Sequence, residues 1–429
     1  MQSRSGLSFE EAHQRDNDDP LRSFRDHFYG LENNAIYLDG NSLGLLSREA
    51  EAATLQVLEQ WKRLGVEGWT EASPPWFTLP ETIAAQTAPL VGASPDEVIV
   101  TGSTTVNLHQ LLATLFDPTN KTRPRILADA LAFPSDIFAI ESHLRLRGLD
   151  PASHLVKIGS RDGFTLHEDD IMAALTPDIQ LAVLPAIVYT SGQLLPMQRI
   201  TAEARQRGIL VGWDCSHSIG AVLHRFTHWD VDFAFWCHYK YVNAGPGAVG
   251  GLYLNRRHFG KQPGLAGWFS SRKERQFDMT HTLSPADGAG ALQIGTPHIL
   301  SLAPLSGSLS LHHAAGMERL RAKSLALTDF LRRAVAAELS EFDVTIATPL
   351  GDDERGGHLA LVHGDAAQIS RALRVSGVIP DYRPPNIIRL APVPLYNSFH
   401  DCWEAVQRLR SLLEIGKHRE ITGGSGLVP

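Results

Sequence analysis

Between roughly residues 95 and 255, short runs of consecutive apolar residues alternate with helix-length segments whose apolar positions recur every three or four residues. The runs are Glu97-Val-Ile-Val-Thr101, Arg125-Ile-Leu-Ala-Asp129, Leu181-Ala-Val-Leu-Pro185, Ile209-Leu-Val-Gly-Trp213 and Asp232-Phe-Ala-Phe-Trp236. Strands apolar on both faces suit the centre of a mostly parallel sheet covered by helices, which makes this region α/β. A hairpin-like run, Ala248–Asn255, follows. Residues 300–340 keep helical spacing and predict one or two long helices packed against a neighbour. Beyond them, strand-like runs at Val344–Thr348, His358–Val362 and Asn386–Leu390 accompany helices near Ala366–Val375 and from Ser398 to Ile415, a smaller α+β unit. The expected division is an N-terminal arm and helix over 1–45, a large α/β domain over 46–300 and a small C-terminal α+β domain over 301–422. Residues 423–429, Gly-Gly-Ser-Gly-Leu-Val-Pro, read as a linker and the stub of a cleavable tag.

Composition narrows the function classes. A chain of 429 residues predicts two or three domains at roughly 150 residues each. With 43% hydrophobic and 20% charged residues it has the composition of an ordinary globular protein with a large core. Against 39 Lys and Arg stand 47 Asp and Glu, a net charge of −8, and no basic block stands out that would neutralise a phosphate backbone. Nucleic acid is therefore not an expected partner. No apolar run approaches the roughly 20 residues that span a bilayer, and the first residues lack the apolar stretch of a secretion signal, so the expectation is a cytoplasmic protein without a membrane partner. Cys215, Cys237 and Cys402 are odd in number and widely spaced, which implies reduced thiols rather than a disulfide framework or a zinc site. The nineteen histidines are scattered and indicate no metal cluster.

The candidate chemistry centres on Lys240. It follows the run Phe233–Cys237 and has Trp236, Tyr239 and Tyr241 as sequence neighbours. A lysine shielded from water this way is an activated amine, able to condense with an aldehyde. Twenty-six residues upstream, Asp214 and His217 end another apolar run, so adjacent strands would deliver a carboxylate, an imidazole and an amine to one pocket; Asp214 read alone is also a helix cap or a surface loop residue, and His217 reads equally as a satisfied core histidine. Pyridoxal 5'-phosphate chemistry needs that set, since a carboxylate keeps the pyridine nitrogen protonated. Thr104 and Thr105 lead from a strand into a helix and suit an anion site at a helix start, although Ser103-Thr-Thr105 reads equally as a plain N-cap. Phe133 and Asp136 offer an aromatic plane beside a carboxylate, with a core role for Phe133 as the other reading. Gly245-Pro-Gly247-Ala-Val-Gly250 matches G-x-G-x-x-G, but a strand-like run follows it instead of a helix, which argues against a dinucleotide loop. The defining motifs of serine hydrolases, zinc hydrolases and P-loop enzymes do not occur.

Taken in order, Tyr37-Leu-Asp-Gly-Asn-Ser-Leu-Gly44, Thr104–His109, Phe133-Pro-Ser-Asp136, Trp213–Ser218, Trp236–Gly247, Gly267-Trp-Phe-Ser270, Gly295-Thr-Pro297 and Arg389–Phe399 resemble the kynureninase family of pyridoxal phosphate enzymes. The resemblance covers most of the chain and implies the fold-type I transferase fold and a homodimer with active sites near the subunit interface. It implies hydrolysis of the Cβ–Cγ bond of L-kynurenine to anthranilate and L-alanine. By the same resemblance Lys240 carries the cofactor and moves protons, Asp214 pairs with the ring nitrogen, and Phe133 stacks on the ring. Thr104, Thr105, Asp136, His217 and Tyr239 hold its phosphate and polar edge, with Tyr239 also a proton donor near the substrate carbonyl. Trp268 and Thr296 line the cofactor and substrate region, and Arg389, Ser42 and Trp69 lie on the substrate side, Arg389 as a bidentate carboxylate clamp. His238 stands where relatives commonly carry serine, which would alter hydrogen bonding at the phosphate edge. Trp69 and Thr296 stand where the animal enzymes carry histidine and asparagine, which implies a preference for L-kynurenine over its 3-hydroxy derivative. A cysteine desulfurase, an aminotransferase and a non-catalytic dimeric relative are the alternatives, the first needing a mobile, exposed cysteine.

Overall fold

The computed structural model describes residues 7–420, and the tag remnant expected at 423–429 lies outside them. Twelve strands are found among these residues. They are β1 (Ile36–Leu38), β2 (Val98–Val100), β3 (Arg125–Asp129), β4 (Leu155–Ile158), β5 (Ile179–Pro185), β6 (Leu210–Asp214), β7 (Phe233–Cys237), β8 (Gly250–Leu254), β9 (Thr345–Ile346), β10 (Leu359–Val362), β11 (Val378–Arg383) and β12 (Ile387–Leu390). The first sheet has the order β2-β8-β7-β6-β5-β3-β4. Its pairs from β7 to β4 are parallel, and β8 runs antiparallel to both neighbours. Every residue of β5, β7 and β8 is buried. That explains why these strands read as unbroken apolar runs: helices cover both faces, so neither face needs polar residues.

The second sheet, β1-β11-β12-β10-β9, is mostly antiparallel, with β1 alone paired in parallel to β11. Helices Met317–Glu338, Ala366–Val375 and Phe399–Ile415 pack on it through Leu327, Leu331, Ile369, Leu373, Val406 and Leu409. The last helix starts with a reciprocal cap: Ser398 Oγ accepts from Asp401 N at 3.0 Å and Asp401 Oδ2 accepts from Ser398 N at 3.1 Å. Gly416, at φ 72°, ends it.

Two boundaries differ from the expected division. The N-terminal segment is no separate arm, because Leu7, Ala12, Ile36 and Leu38 belong to the core of the small unit and β1 is a strand of its sheet. Helix Ile299–Ala315, placed in the small domain by the cut at 300, buries Leu302, Leu305 and Leu309 in the core of the large sheet. The units therefore part near Gly316, where φ is 78° and the next helix begins. Among the described residues no helix is long and apolar enough to cross a membrane.

Gly212, in the middle of β6, shows how tightly the large core is built. Its register partner on β7 is Phe233, whose ring occupies the space that a Cβ at position 212 would need. Gly212→Ala is expected to destabilise the protein by about 1–3 kcal/mol, since overpacking a dense core forces side chains off their rotamers. The midpoint of denaturant unfolding measures this, and an unchanged midpoint would show that the Phe233 ring can move aside.

Candidate active site

The carboxyl ends of β3, β6 and β7 open onto a cleft of about 320 Å³, closed on the other side by the loop after β1 and by the small sheet. This is where open α/β sheets bind ligands, because the loops diverge there. Lys240 sits three residues past β7 and its Nζ lies 2.9 Å from His217 Nε2. Burial, and then the Lys240 charge, holds the His217 imidazole well below its ordinary range. The ring is therefore neutral, and Lys240 donates to it. Of the three aromatics expected around this amine only Tyr239 faces it, its ring centroid 5.9 Å away. Trp236 turns into the core and donates to His238, while Tyr241 packs with Leu21, Phe28 and Ile187.

Three carboxylates gather opposite the amine. Asp214 ends β6 and accepts from Ser216 N at 2.9 Å. Asp136 lies in the first turn of helix Pro134–Leu146; burial raises its carboxyl well above the usual range, and the Asp214 charge adds to the rise. Asp129 ends β3, fully buried, with Oδ1 accepting from Leu131 N at 2.8 Å and Oδ2 unpartnered. Burial pushes Asp129 up to about 7 against the pull of the Leu131 and Ala132 amides.

The anion cradle is the start of helix Thr104–Leu115, directly after β2. Thr105 Oγ1 and Ser135 Oγ lie 2.6 Å apart, and Gly102 at φ 54° turns the chain into the helix. A Cβ at Gly250 would come within 3.1 Å of Thr104 N, so a glycine is needed for β8 to pass beneath the cradle. Phe133, 45% exposed, stands at the cleft wall against Tyr189 at 5.3 Å.

The far wall comes from distant sequence. Gly44 N donates to Tyr239 O at 2.8 Å, which fixes the Asn41–Gly44 loop on the lysine loop. Arg389 on β12 is fully buried, pairs with Asp381 and donates to Tyr189 O at 2.6 Å. Ser42 Oγ lies 3.4 Å from Nη2 of both Arg383 and Arg389. Pyridoxal phosphate fits this donor set: a hydroxyl-lined helix start for phosphate, an aromatic plane, an amine, and carboxylates whose repulsion a protonated ring nitrogen relieves. Four buried polar atoms of cleft-lining residues, Asn41 Nδ2 and Oδ1, Ser216 Oγ and His217 Nδ1, find no partner among the described residues.

Of the sequence-derived site residues, Ser42, Thr104, Thr105, Phe133, Asp136, Asp214, His217, Tyr239, Lys240 and Arg389 meet in this cleft. Trp69, Trp268 and Thr296 do not join it within one chain. Trp69 lines a separate open hollow with Trp61, Trp76 and Pro297 to Ser301, and the exposed Thr296 precedes that stretch. Trp268 packs on Phe269 and Phe277 and donates to Gln276 O. His238 does not reach the phosphate edge: fully buried, it donates from Nδ1 to Val249 O and accepts from Trp236 Nε1 at Nε2, both at 2.7 Å. Asn41, Asp129, Tyr189 and Arg383 went unnoticed in the sequence. Asp129 and Tyr189 follow runs recognised as strands, so the strand-end rule would have found them, whereas β11, which carries Arg383, gave no strand signal. All three cysteines are buried, and burial raises each thiol, which counts against a persulfide-forming cysteine.

The sequence profile of the kynureninase C-terminal domain matches residues 320–409. A protein named kynureninase from Bacillus anthracis is 55% identical over 413 residues, covering 96% of each chain. Another from Geobacillus thermodenitrificans is 55% identical over 415 residues, covering 97% of this chain and 96% of that protein. Among solved structures, a C-DES mutant with glycine covalently linked to its PLP cofactor superposes with a TM-score of 0.77 at 19% identity, covering 90% of this chain and 98% of that one. The apo cysteine desulfurase of Thermococcus onnurineus gives 0.77 at 17% identity, covering 91% and 98%. At these identities the solved structures speak for the fold.

Asp129 sets a pH dependence. Its folded pKa of about 7 lies above the roughly 3.9 of an unfolded chain, so between those values unfolding releases a proton that folding retains. The contribution is fully present below about pH 4 and is lost as pH rises through about 7. In cofactor-free protein, the stability of the parent relative to Asp129→Asn should fall by a few kcal/mol at most from about pH 5 to about pH 8. Parallel unfolding midpoints across that range would remove the buried-acid assignment.

Proposed function

The chain belongs to the kynureninase family, and on that premise we propose how the residues of its cleft divide the work. The enzyme is a pyridoxal-phosphate-dependent hydrolase that adds water across the Cβ–Cγ bond of L-kynurenine, yielding anthranilate and L-alanine. The observation that carries the residue assignment is Lys240 Nζ, 2.9 Å from the neutral His217 ring, in one cleft with Asp214 and Arg389.

Lys240 would hold the cofactor, the Thr104–Thr105 helix start its phosphate, Phe133 its ring face, and Asp214 with Asp136 its nitrogen and polar edge. When bound, it supplies a sink for the negative charge that develops on the substrate carbons. Arg389 binds the substrate carboxylate and so orients Cα toward Lys240. Lys240 takes the Cα proton, its amine aimed by the hydrogen bond to His217. Tyr239 has its phenol pushed up by burial, so it stays protonated and serves as a donor near the γ-carbonyl, where water adds before the Cβ–Cγ bond breaks.

The second part concerns quaternary structure and substrate choice. Trp61, Val66, Trp268, Phe277 and Met279 are exposed on one chain, which supports a homodimer in which the hollow of Trp69, with Thr296 at its edge in sequence, borders the partner's cleft. With Trp61, Trp76 and Leu300 around it, that hollow is mainly apolar and favours the unsubstituted ring of L-kynurenine, since a 3-hydroxyl gives up water there against a wall whose polar side chains are few, His298 and Ser301 among them. We place the enzyme in the cytoplasm, in tryptophan breakdown, where anthranilate feeds catabolism and a hydroxylated product would feed NAD synthesis.

Protein saturated with pyridoxal phosphate should release fluorescent anthranilate from L-kynurenine, and Lys240→Ala should lose at least about a thousandfold in kcat. A variant as fast as the parent would take Lys240 out of the chemistry, and no anthranilate from the parent would move the substrate to another amino acid. The ratio of kcat/KM for L-kynurenine over 3-hydroxy-L-kynurenine should be about tenfold or more. A ratio below one would reverse the reading of the hollow.

A further inference from the structure

The register of the small sheet places three charges on one face at the cleft. Asp381 and Arg383 are two residues apart on β11 and so point the same way, and Arg389 is the cross-strand partner of Asp381 on β12. Asp381 is fully buried and pairs with both guanidiniums, through Arg383 Nε at 3.1 Å and through Arg389 Nε and Nη2. The buried Asp39 beside them is paired with Arg374 at 3.6 Å, so Arg383 and Arg389 over Asp381 leave one unit of positive charge at the cleft, the amount that one carboxylate balances.

The donors are unequally engaged. Arg389 is 1% exposed and has Nε on Asp381 and Nη1 on Tyr189 O, so most of its fork is fixed by the protein. Arg383 is 22% exposed and lines the cleft. Among the described residues its Nη1 has no hydrogen-bond partner, and its Nη2 reaches only Ser42 Oγ at 3.4 Å, a distance at which a hydrogen bond is weak. Ser42 Oγ stands at the same 3.4 Å from Arg389 Nη2, so the hydroxyl marks the gap between the two forks. An anion oxygen in that gap meets donors from both arginines.

We propose that Arg383 is a second carboxylate-binding residue of the substrate site, sharing the α-carboxylate with Arg389 across the Ser42 hydroxyl. The proposal rests on reading the cleft as an amino-acid site, and it deepens that reading by assigning specificity for the carboxylate to a pair of arginines. Asp381 is the positioning residue that holds the pair together: without it two guanidiniums on one sheet face would repel.

The test compares two probes on the cofactor-loaded enzyme, L-alanine and L-alaninamide, which differ only in the carboxylate. Binding is read from the change in cofactor absorbance, without carbon–carbon cleavage. Arg383→Gln should weaken L-alanine by roughly 10- to 100-fold and raise KM for L-kynurenine by a similar factor, while L-alaninamide changes by less than about twofold. Arg383→Lys keeps the charge beside Asp381 and serves if the glutamine variant folds poorly; it should weaken L-alanine by a smaller factor and again spare the amide. Equal weakening of both probes would assign Arg383 a purely structural role, and no change in either would overturn the proposal outright. If the parent binds L-alanine yet makes no anthranilate from L-kynurenine, the family activity fails while the comparison of probes still decides the role of Arg383.

Discussion

Three carboxylates gathered beside a single amine, Asp129 and Asp136 buried and Asp214 partly so, are the constraint on which the site depends. Asp129, Asp136 and Asp214 lie at the ends of β3 and β6 and in the helix that follows β3; burial raises the Asp129 and Asp136 carboxyls, and the charge of Asp214 adds to both shifts. Backbone amides relieve part of this: Leu131 donates to Asp129 and Ser216 to Asp214. Retained protons relieve more. What remains is a site short of positive charge, suited to a protonated ring nitrogen because the folded sheet has already met the cost of assembling the carboxylates. Binding of such a group then stabilises the fold by mass action, so cofactor affinity and stability are coupled through the same three residues.

The opposite wall is short of negative charge, and it is built from other parts of the chain. Ser42 comes from the loop after β1, Tyr189 from the end of β5, and Arg383 and Arg389 from β11 and β12. The parallel pairing of β1 with β11 makes the N-terminal segment a strand of the small unit, and the bond from Gly44 N to Tyr239 O carries that segment onto the lysine loop. Arg389 crosses between the units as well, through its bond to Tyr189 O. A cleft acidic on one wall and basic on the other would orient a zwitterionic amino acid by charge before any specific contact forms.

The large sheet was legible because its strands are buried on both faces. The five runs read as strands are β2, β3, β5, β6 and β7, and the hairpin-like run is β8. The missed strands lack that signature. In β4 only Ile158 is buried, β1 is three residues long, and β11 reads Val-Ile-Pro-Asp-Tyr-Arg, where charge and a proline mask an edge that becomes central only once β1 adds to it. Missing β11 hid Arg383, since an arginine in an unassigned stretch has no face. The site residues carried by local motifs lie in one cleft, whereas Trp69, Trp268 and Thr296 lie elsewhere on the chain, because a resemblance names residues without saying where the fold puts them. His238 failed differently: its place where relatives carry serine suggested a part at the phosphate edge, but its ring turns into the core, where Trp236 and Val249 use both nitrogens.

Likeness to cysteine desulfurases extends over nine-tenths of the chain, yet it does not decide the reaction, because fold-type I enzymes share the frame and differ in what surrounds the amine. The buried state of Cys215, Cys237 and Cys402 removes the nucleophile that desulfuration needs. Cleavage of a carbon–carbon bond beside a ketone needs a proton donor that stays protonated until the carbonyl changes, and a tyrosine shielded from water meets that condition where an exposed one would meet it less firmly. Tyr239 is half-buried at the cleft and shares its loop with Lys240, so the proposed donor is held next to the amine. His238 holds that loop to the strand below through a tautomer fixed at both nitrogens, which makes it a structural latch for the pair rather than a third participant in the chemistry.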